Sequence, residues 1–226
     1  MSNKTNKETK EKKETIAKAM LLLEKEVSKC IEILKELEKK YPEDIIIKQN
    51  LSVALHKGNK PLEAIEYLKQ AIKINPSEFS NFHNLGVIYE KQDMLHEAKI
   101  CYFEAVRLKP DAHFIFTRLG HVLFTEANFK DSLKAYNSVI QINGKDAFHA
   151  NLGKGLCLSR LGYKKEAKAC LEIVQKNKAK DIETIKALAF LYLDLGMLSK
   201  GIELSRRTEG EIIFSTKTKS VKFLRG

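Results

Sequence analysis

A few short fragments contain residue types that could take part in catalysis or cofactor binding. The fragment HEAKI at 96–100 begins like a zinc-protease helix, but Ile100 stands where that site needs its second histidine. The fragment GKGLCL at 153–158 contains Gly-x-Gly, but Leu158 replaces the third glycine of a dinucleotide-binding loop and no strand precedes it. We therefore predict no catalytic residue, no cofactor and no enzyme activity.

The cysteines do not form a metal or redox motif. Cys30, Cys101, Cys157 and Cys170 lie far apart, and none belongs to a Cys-x-x-Cys pair. Zinc and redox motifs require close pairs, so we predict no metal site and expect reduced, packed thiols.

Basic residues exceed acidic ones, and the excess lies in the second half. The chain carries 40 Lys and Arg against 29 Asp and Glu, a net charge of +11. From residue 113 onward there are 20 basic and 11 acidic residues. Such an excess can attract an acidic protein segment, nucleic acid or an anionic membrane surface, or it can be a solvated basic face.

The sequence carries no targeting or membrane-spanning pattern. Its N-terminus, MSNKTNKETKEKKETIAKA, is hydrophilic where a signal peptide has an apolar run. The longest wholly apolar run, ALAFLYL at 187–193, is far shorter than the roughly 20 residues of a spanning helix. We predict a cytoplasmic, soluble protein.

Several proline and small-residue positions recur along the sequence with a fixed period. Pro42, Pro76 and Pro110 are 34 residues apart. Two further columns of residues have intervals of 34 or 35: Ala64, Ala98, Ser132, Ala167 and Gly201; and Ser52, Gly86, Gly120, Gly155 and Ala189. A fixed period of this length indicates a stacked repeat architecture.

Each period contains the pattern of two helices. Phe82, Leu85, Gly86 and Tyr89 follow the spacing of one helical face, and a second such face begins at Leu95 and ends before Pro110. Gly86 and Ala98 fall where the two helices cross, so we predict that these small residues allow a close approach of the backbones.

The period and its landmarks, the Leu-Gly-x-x-Tyr of NLGVIY, the Ala of HEAKICYFEAV and the Pro of LKP, resemble the tetratricopeptide repeat. The resemblance implies an all-α fold, a right-handed α-solenoid of antiparallel helix pairs. Repeats are predicted at about 11–44, 45–78, 79–112, 113–147, 148–181 and 182–215. The corresponding domains are a charged flexible leader at 1–13, the solenoid at 14–208 and a basic tail at 209–226. The leader is expected to be disordered or a frayed helix, and the tail could form a strand, pack on the last repeat or bind a partner.

In this family one flank of each first helix lines an inner groove that binds partners. Four of the six histidines fall on that flank: His56, His83, His121 and His149. A groove of this kind would change charge near neutral pH, which we state as a hypothesis. The predicted partner-binding groove residues are Gln49, Asn50, Val53, His83, Asn84, Val87, Phe114, Arg118, His121, His149, Lys186 and Phe190.

Two subtypes of the family can be compared residue by residue. Asn84 and Arg118 match the clamp with which chaperone-binding members hold a carboxylate, but Gln49, Val53 and Phe114 do not. Asn50 and Asn84 match the asparagine ladder of the members fused to sugar transferases, and Arg118 and Gly153 break it. The sequence therefore does not select a subtype.

The function that follows is a non-enzymatic scaffold or adaptor. A peptide or helix of a protein partner would bind in the groove, and the basic excess favours an acidic one. Two alternatives stay open: the basic C-terminal half binds nucleic acid or an anionic surface, or the chain is part of a larger assembly and self-associates through its end repeats or tail.

Overall fold

Paired helices make up nearly all of the structure, a computed structural model. It describes residues 2–143, 147–175, 182–208, 211–215 and 220–224; side chains are described from residue 8 to residue 208 within these ranges, except that of Glu183. The chain divides into two units, unit 1 (Met1–Pro110) and unit 2 (Asp111–Gly226).

Unit 1 consists of three helix pairs. The helices are α1 (Ser2–Leu21), α2 (Val27–Lys40), α3 (Ile45–Lys57), α4 (Pro61–Ile74), α5 (Phe79–Lys91) and α6 (Leu95–Leu108). Within each pair the two helices pack on each other, α4 also contacts α5, and the first helices α3 and α5 touch. Leu34, Leu51, Leu55 and Leu68 are fully buried between these helices.

Unit 2 repeats this arrangement and ends in a hairpin. Its elements are α7 (His113–Thr125), α8 (Phe129–Asn143), α9 (Phe148–Arg160), α10 (Lys164–Gln175), α11 (Ile182–Asp194), α12 (Leu198–Arg206), β1 (Glu211–Ser215) and β2 (Ser220–Leu224). The first helix α9 lies between α7 and α11 and contacts both. Val174 and Leu191 are fully buried in its core.

The turn inside each of five helix pairs has the same backbone conformation. One residue in the turn has a positive φ, and the N–H that follows it donates to a carbonyl five residues earlier, as from Lys60 to Leu55 and from Met197 to Tyr192, both at 2.8 Å. This bond satisfies an orphan carbonyl of the first helix and reverses the chain. The positive-φ residues are Asn59, Asp93, Ala127, Gly162 and Gly196.

Tyrosine rings fill the space that the repeat glycines leave. A Cβ added at Gly86 would lie 2.7 Å from Cε1 of Tyr102, and one at Gly120 would lie 2.9 Å from Cε1 of Tyr136. The atoms closest to Gly86 thus belong to a side chain of α6, whereas we predicted close contact with the backbone of α6. Tyr102 is fully buried because the missing methyl group makes room for its ring.

The first helix includes residues that the sequence analysis placed in the leader. Helix α1 runs without interruption from Ser2 to Leu21. Ile16 and Ala19 anchor its second half in the core of unit 1. Farther toward its N-terminus, Lys12 forms an ion pair with Asp44, the N-cap residue of α3. One apolar contact face and the ion pair of Lys12 with Asp44 hold this helix on unit 1.

The tail contains an antiparallel hairpin, one of the forms the sequence left open. Ile213 pairs with Lys222 and Phe214 with Val221 in its register, and β1 contacts α12. Residues 144–146, 176–181, 209–210, 216–219 and 225–226, which include predicted repeat and tail segments, lie outside the described residues. The predicted domain and repeat boundaries stay predictions.

Candidate functional site

The predicted groove residues of unit 1 lie on its two neighbouring first helices. We call Gln49, Asn50, Val53, His83, Asn84 and Val87 the N-terminal surface. Val53 is 38% exposed and the other five are half-buried. All six are therefore at least partly accessible on α3 or α5.

Gln49 connects α3 to α5. Its side-chain Nε2 donates to Ser80 Oγ at 2.9 Å and to Asn81 Oδ1 at 2.7 Å. Ser80 in turn donates from its hydroxyl to the carboxylate of Glu78, the N-cap residue of α5, at 2.8 Å. Both N–H groups of Gln49 are therefore used within the protein, and the amide plane is fixed.

Asn50 and Asn84 do not form a ladder of equivalent donors. Asn50 Nδ2 donates to the carbonyl oxygen of Ile46, one turn earlier in its own helix, at 2.7 Å. Asn84 Oδ1 lies 3.3 Å from His83 Nδ1. The two asparagines occupy the same position of successive repeats but have different local partners, so we expect them to contribute differently to a bound segment.

Burial and a neighbouring lysine act on His56, a histidine of α3 on the predicted groove flank. Burial lowers the pKa of His56, and the charge of Lys91 on α5 lowers it further. Within the described part of the chain His56 Nδ1 is buried without a hydrogen-bond partner. Because the shift is downward, the surroundings of His56 favour its neutral form.

The predicted groove residues of unit 2 lie on α7, α9 and α11. We call Phe114, Arg118, His121, His149, Lys186 and Phe190 the C-terminal surface. Phe114 is 42% exposed; Arg118, His121 and His149 are exposed; Lys186 and Phe190 are half-buried.

Two side-chain contacts join α9 to α11. His149 Nε2, near the start of α9, lies 3.4 Å from Thr184 Oγ1, near the start of α11. Arg160 Nε, at the end of α9, lies 3.1 Å from Asp194 Oδ2, at the end of α11. Start meets start and end meets end, so the two helices run parallel. The surface between these contacts is held at both ends.

The surroundings of Asp194 disfavour the ionised form of its side chain. Burial raises its pKa, although the charges of Arg160 and Lys164 oppose this. No donor in the described residues meets Asp194 Oδ2 with hydrogen-bond geometry, even though Arg160 Nε is close. The contact is therefore chiefly electrostatic.

Sequence reasoning missed Asn81 and Thr184, which complete the contacts between first helices. Asn81 is fully buried, and Thr184 is 6% exposed. Equivalent positions in other repeats carry Ile47 and Ile115. The sequence does contain a signal for these two residues, because each is polar at a repeat position that carries isoleucine in two other repeats.

The fragments that resembled catalytic motifs have packing roles. In GKGLCL, a Cβ at Gly153 would lie 2.3 Å from Cζ of Tyr136, and one at Gly155 would lie 3.0 Å from Leu191 Cδ2. In HEAKI, Ala98 is fully buried. Both fragments therefore lie in helices whose small residues are required by their neighbours.

The cysteines are free and buried. Burial raises the pKa of Cys101 and Cys157 to about 11, so both are thiols at pH 7. Cys157 Sγ donates to Ser132 Oγ at 3.1 Å, and Ser132 donates to the carbonyl of Gly120 at 2.7 Å. This chain of bonds joins α7, α8 and α9 inside unit 2.

No three His, Cys, Asp or Glu side chains in the ranges given above lie close enough together to hold a metal ion. No helix in the same part of the chain is both long enough and apolar enough to cross a membrane.

Repeated helix pairs with adjoining first helices define a tetratricopeptide repeat protein, and a model of that repeat matches residues 148–180. The predicted resemblance and the all-α fold class are confirmed. The chain belongs to the ChAPs family, the Chs5p-Arf1p-binding proteins, whose model matches residues 3–153, more than half of its length.

Solved structures show the same fold at low sequence identity. A tetratricopeptide repeat protein from Parabacteroides merdae superposes with a TM-score of 0.74 at 17% identity, covering 87% of this chain and 78% of that one. PilF of Pseudomonas aeruginosa gives 0.72 at 16% identity, covering 88% and 93%. YrrB, a tetratricopeptide repeat protein with an unusual peptide-binding site, gives 0.62 at 20% identity, covering 77% and 90%. No curated protein matches this sequence.

Proposed function

We propose that this protein is a non-enzymatic adaptor that binds protein partners through the exposed flanks of its first helices. The observation that carries the proposal is the ChAPs family match together with the tetratricopeptide fold, both of which point to protein–protein interaction. The N-terminal and C-terminal surfaces offer apolar side chains beside polar groups, the combination that holds a peptide or helix.

The side chains of the N-terminal surface are partly fixed by hydrogen bonds, which supports this role. Gln49 is fixed by two hydrogen bonds, and Asn50 is bonded to its own helix. A partner that meets these groups does not have to order them, so less conformational entropy opposes binding. Val53, exposed beside them, would supply apolar contact.

The family name gives the partner class. Chs5p and Arf1p are the proteins that ChAPs are named for binding, and we assign to this chain a partner of one of those two types. The N-terminal surface lies wholly within the matched residues 3–153, whereas the C-terminal surface extends beyond them to Lys186 and Phe190. It is therefore the surface we assign to that partner.

The test is titration calorimetry of the intact chain with purified Chs5p-type and Arf1p-type proteins. Val53→Asp places a charge in the N-terminal surface and should weaken binding at least about fivefold, since loss of one apolar anchor costs about 1 kcal/mol or more. The matched control is Ile100→Asp on α6, an aliphatic side chain 51% exposed on a second helix, which should leave affinity unchanged. Thermal unfolding of both variants checks that they fold.

Equal weakening by both variants would show that the first helices are not the binding face. If the intact chain bound neither partner type, the assignment of the partner would be wrong.

A further inference from the structure

The hairpin near the end of the chain forms a sheet of two strands. β2 (Ser220–Leu224) pairs antiparallel with β1 on one side. On its other side β2 has no strand partner among the described residues. β1, by contrast, contacts α12. The unpaired side of β2, which we call the β2 edge, therefore offers backbone N–H and C=O groups at alternate residues to another strand.

The two faces of the hairpin differ in composition. Successive residues of a strand belong to opposite faces, and residues paired in register share a face. One face consists of two apolar residues from each strand: Ile212 and Phe214 of β1, with Phe223 and Val221 of β2. The other face has Lys222 in the middle of β2, in register with Ile213. A strand added at the β2 edge would extend both faces.

The chain around the hairpin is basic. Residues 206–226 contain six basic residues and two acidic ones. Within the strands the acid Glu211 begins β1, in register with Leu224, whereas β2 carries Lys222 and no acid. Neither Arg206 nor Arg207 forms an ion pair within the described part of the chain. This end of the chain therefore attracts an acidic segment.

A third strand would also stabilise the hairpin itself. A sheet of two strands is marginally stable in water, and independent stability usually requires a third strand or packing against a helix. When an extended segment joins a sheet edge, its main-chain hydrogen bonds provide affinity and its alternate side chains provide selectivity.

We propose that the β2 edge binds an extended segment of a partner protein as a third strand, and that this segment alternates acidic with apolar residues. The apolar residues of the segment share the face of Val221 and Phe223. Its acidic residues share the face of Lys222, because opposite charges on neighbouring strands attract. This inference goes beyond the proposed function, since it involves neither the first helices nor their exposed flanks.

Charge and backbone chemistry separate this partner from two others. A second copy of the chain would pair β2 with itself, and antiparallel pairing about its centre would place two Lys222 residues opposite each other, which is unfavourable. Nucleic acid has a complementary charge, but it has no peptide groups to complete a strand ladder. An acidic protein segment satisfies both requirements.

Fluorescence anisotropy of the intact chain tests the proposal. The probe is a labelled peptide of four Glu-Val repeats. Its matched control has the same side chains and charge but an N-methyl group on every backbone nitrogen, so that it cannot donate hydrogen bonds to a strand. We expect the unmethylated peptide to bind at least about tenfold more tightly. Equal affinities would show attraction by charge alone and overturn the proposal, as would a failure of the unmethylated peptide to bind.

A second comparison uses protein variants. Lys222→Glu reverses the charge in the middle of β2 and should weaken binding of the Glu-Val peptide at least about threefold. The matched control is Lys130→Glu, which makes the same change in net charge at an exposed position of α8 and should have a much smaller effect, because salt screens distant charges. Equal losses in the two variants would contradict a site at β2. Circular dichroism melting checks that both remain folded.

Hydrogen exchange measured by NMR on the intact chain locates the bound peptide. We expect amide hydrogens at alternate residues of β2 to become protected when the Glu-Val peptide binds. Unchanged exchange in β2 with chemical-shift changes confined to α3 and α5 would place the peptide on the N-terminal surface and overturn the proposal. Val53→Asp should leave affinity for this peptide unchanged, so failure here is distinguishable from failure of the proposed function.

Two further outcomes would change the class of partner and so overturn the proposal. Tighter binding of a 12-nucleotide single-stranded RNA than of the peptide, lost in Lys222→Glu and steeply weakened by salt, would indicate a nucleic-acid site. A dimer in sedimentation whose β2 amides are protected without peptide would identify a second copy as the occupant.

Discussion

At residue 153 the chain has room for a hydrogen atom but not for a methyl group. The ring of Tyr136 lies between Gly120 of α7 and Gly153 of α9, and an added Cβ at Gly153 would approach three of its ring carbons to between 2.3 and 2.7 Å. An asparagine at this position would collide with the ring in the same way. The break in the asparagine column at Gly153 is therefore a packing requirement of unit 2.

Gly153→Ala should lower the free energy of unfolding by about 1–3 kcal/mol, the usual cost of overpacking a core. A helix interior otherwise prefers Ala to Gly by about 1 kcal/mol, so the sign of the effect is diagnostic. The measurement is urea unfolding of Gly153→Ala alone and together with Tyr136→Leu, in a double-mutant cycle. An equal cost of Gly153→Ala in both backgrounds would contradict contact with the ring.

At the scale of secondary-structure elements, the five turns within helix pairs share one backbone conformation, although the type of the positive-φ residue differs between them. Asn59 and Asp93 tolerate a positive φ better than most residues, and Gly162 and Gly196 adopt it without steric cost. Ala127, with a φ of 59°, is the exception because its Cβ meets the following carbonyl oxygen in this region. The turn between α7 and α8 is therefore strained by its residue type.

Ala127→Gly should raise the stability of the chain by about 0.5–1 kcal/mol. Gly162→Ala makes the reverse change in the equivalent turn between α9 and α10 and should lower stability by about 1 kcal/mol. An added Cβ at Gly162 has no neighbouring atom within 4 Å, so this cost is conformational. Chemical denaturation measures the change in the free energy of unfolding of each variant. Changes of the same sign in both variants would contradict the prediction.

At the scale of the molecule, the period of 34 or 35 residues was sufficient to predict the fold. It predicts helix pairs because small and apolar residues recur where neighbouring helices must pack, and this constraint is visible in sequence. The hydrogen bonds of Gln49 and Asn50 could not be predicted. Whether an amide bonds to its own helix or to the next one depends on displacements of less than 1 Å, to which the repeat pattern is insensitive.

The start of the chain also bears on the whole molecule, because α1 includes most of the residues predicted as a charged leader. Removing residues 1–13 would shorten α1 and delete Lys12, the ionic partner of Asp44. We expect the melting temperature to fall by about 3 °C or more, since 1 kcal/mol corresponds to about 2–4 °C in a chain of this size. Differential scanning calorimetry is the measurement, with Lys12→Ala as the single-residue comparison.

An unchanged melting temperature after this truncation would support the prediction that residues 1–13 are a leader appended to the array. A fall caused by Lys12→Ala alone would assign the effect to the ion pair rather than to the length of α1.

The uniform turns also determine where the chain can change length. The second helix of a pair begins sixteen residues after the first in α3 and α4, in α7 and α8, and in α9 and α10. The extra residue of the 35-residue interval instead falls between the start of α8 at Phe129 and the start of α9 at Phe148. A positive-φ turn fixes the spacing inside a pair, whereas the described connections between pairs at 75–78 and 109–112 contain no residue with a positive φ. Insertions, affinity tags and reporter segments should therefore be tolerated between α8 and α9 and disruptive between α7 and α8.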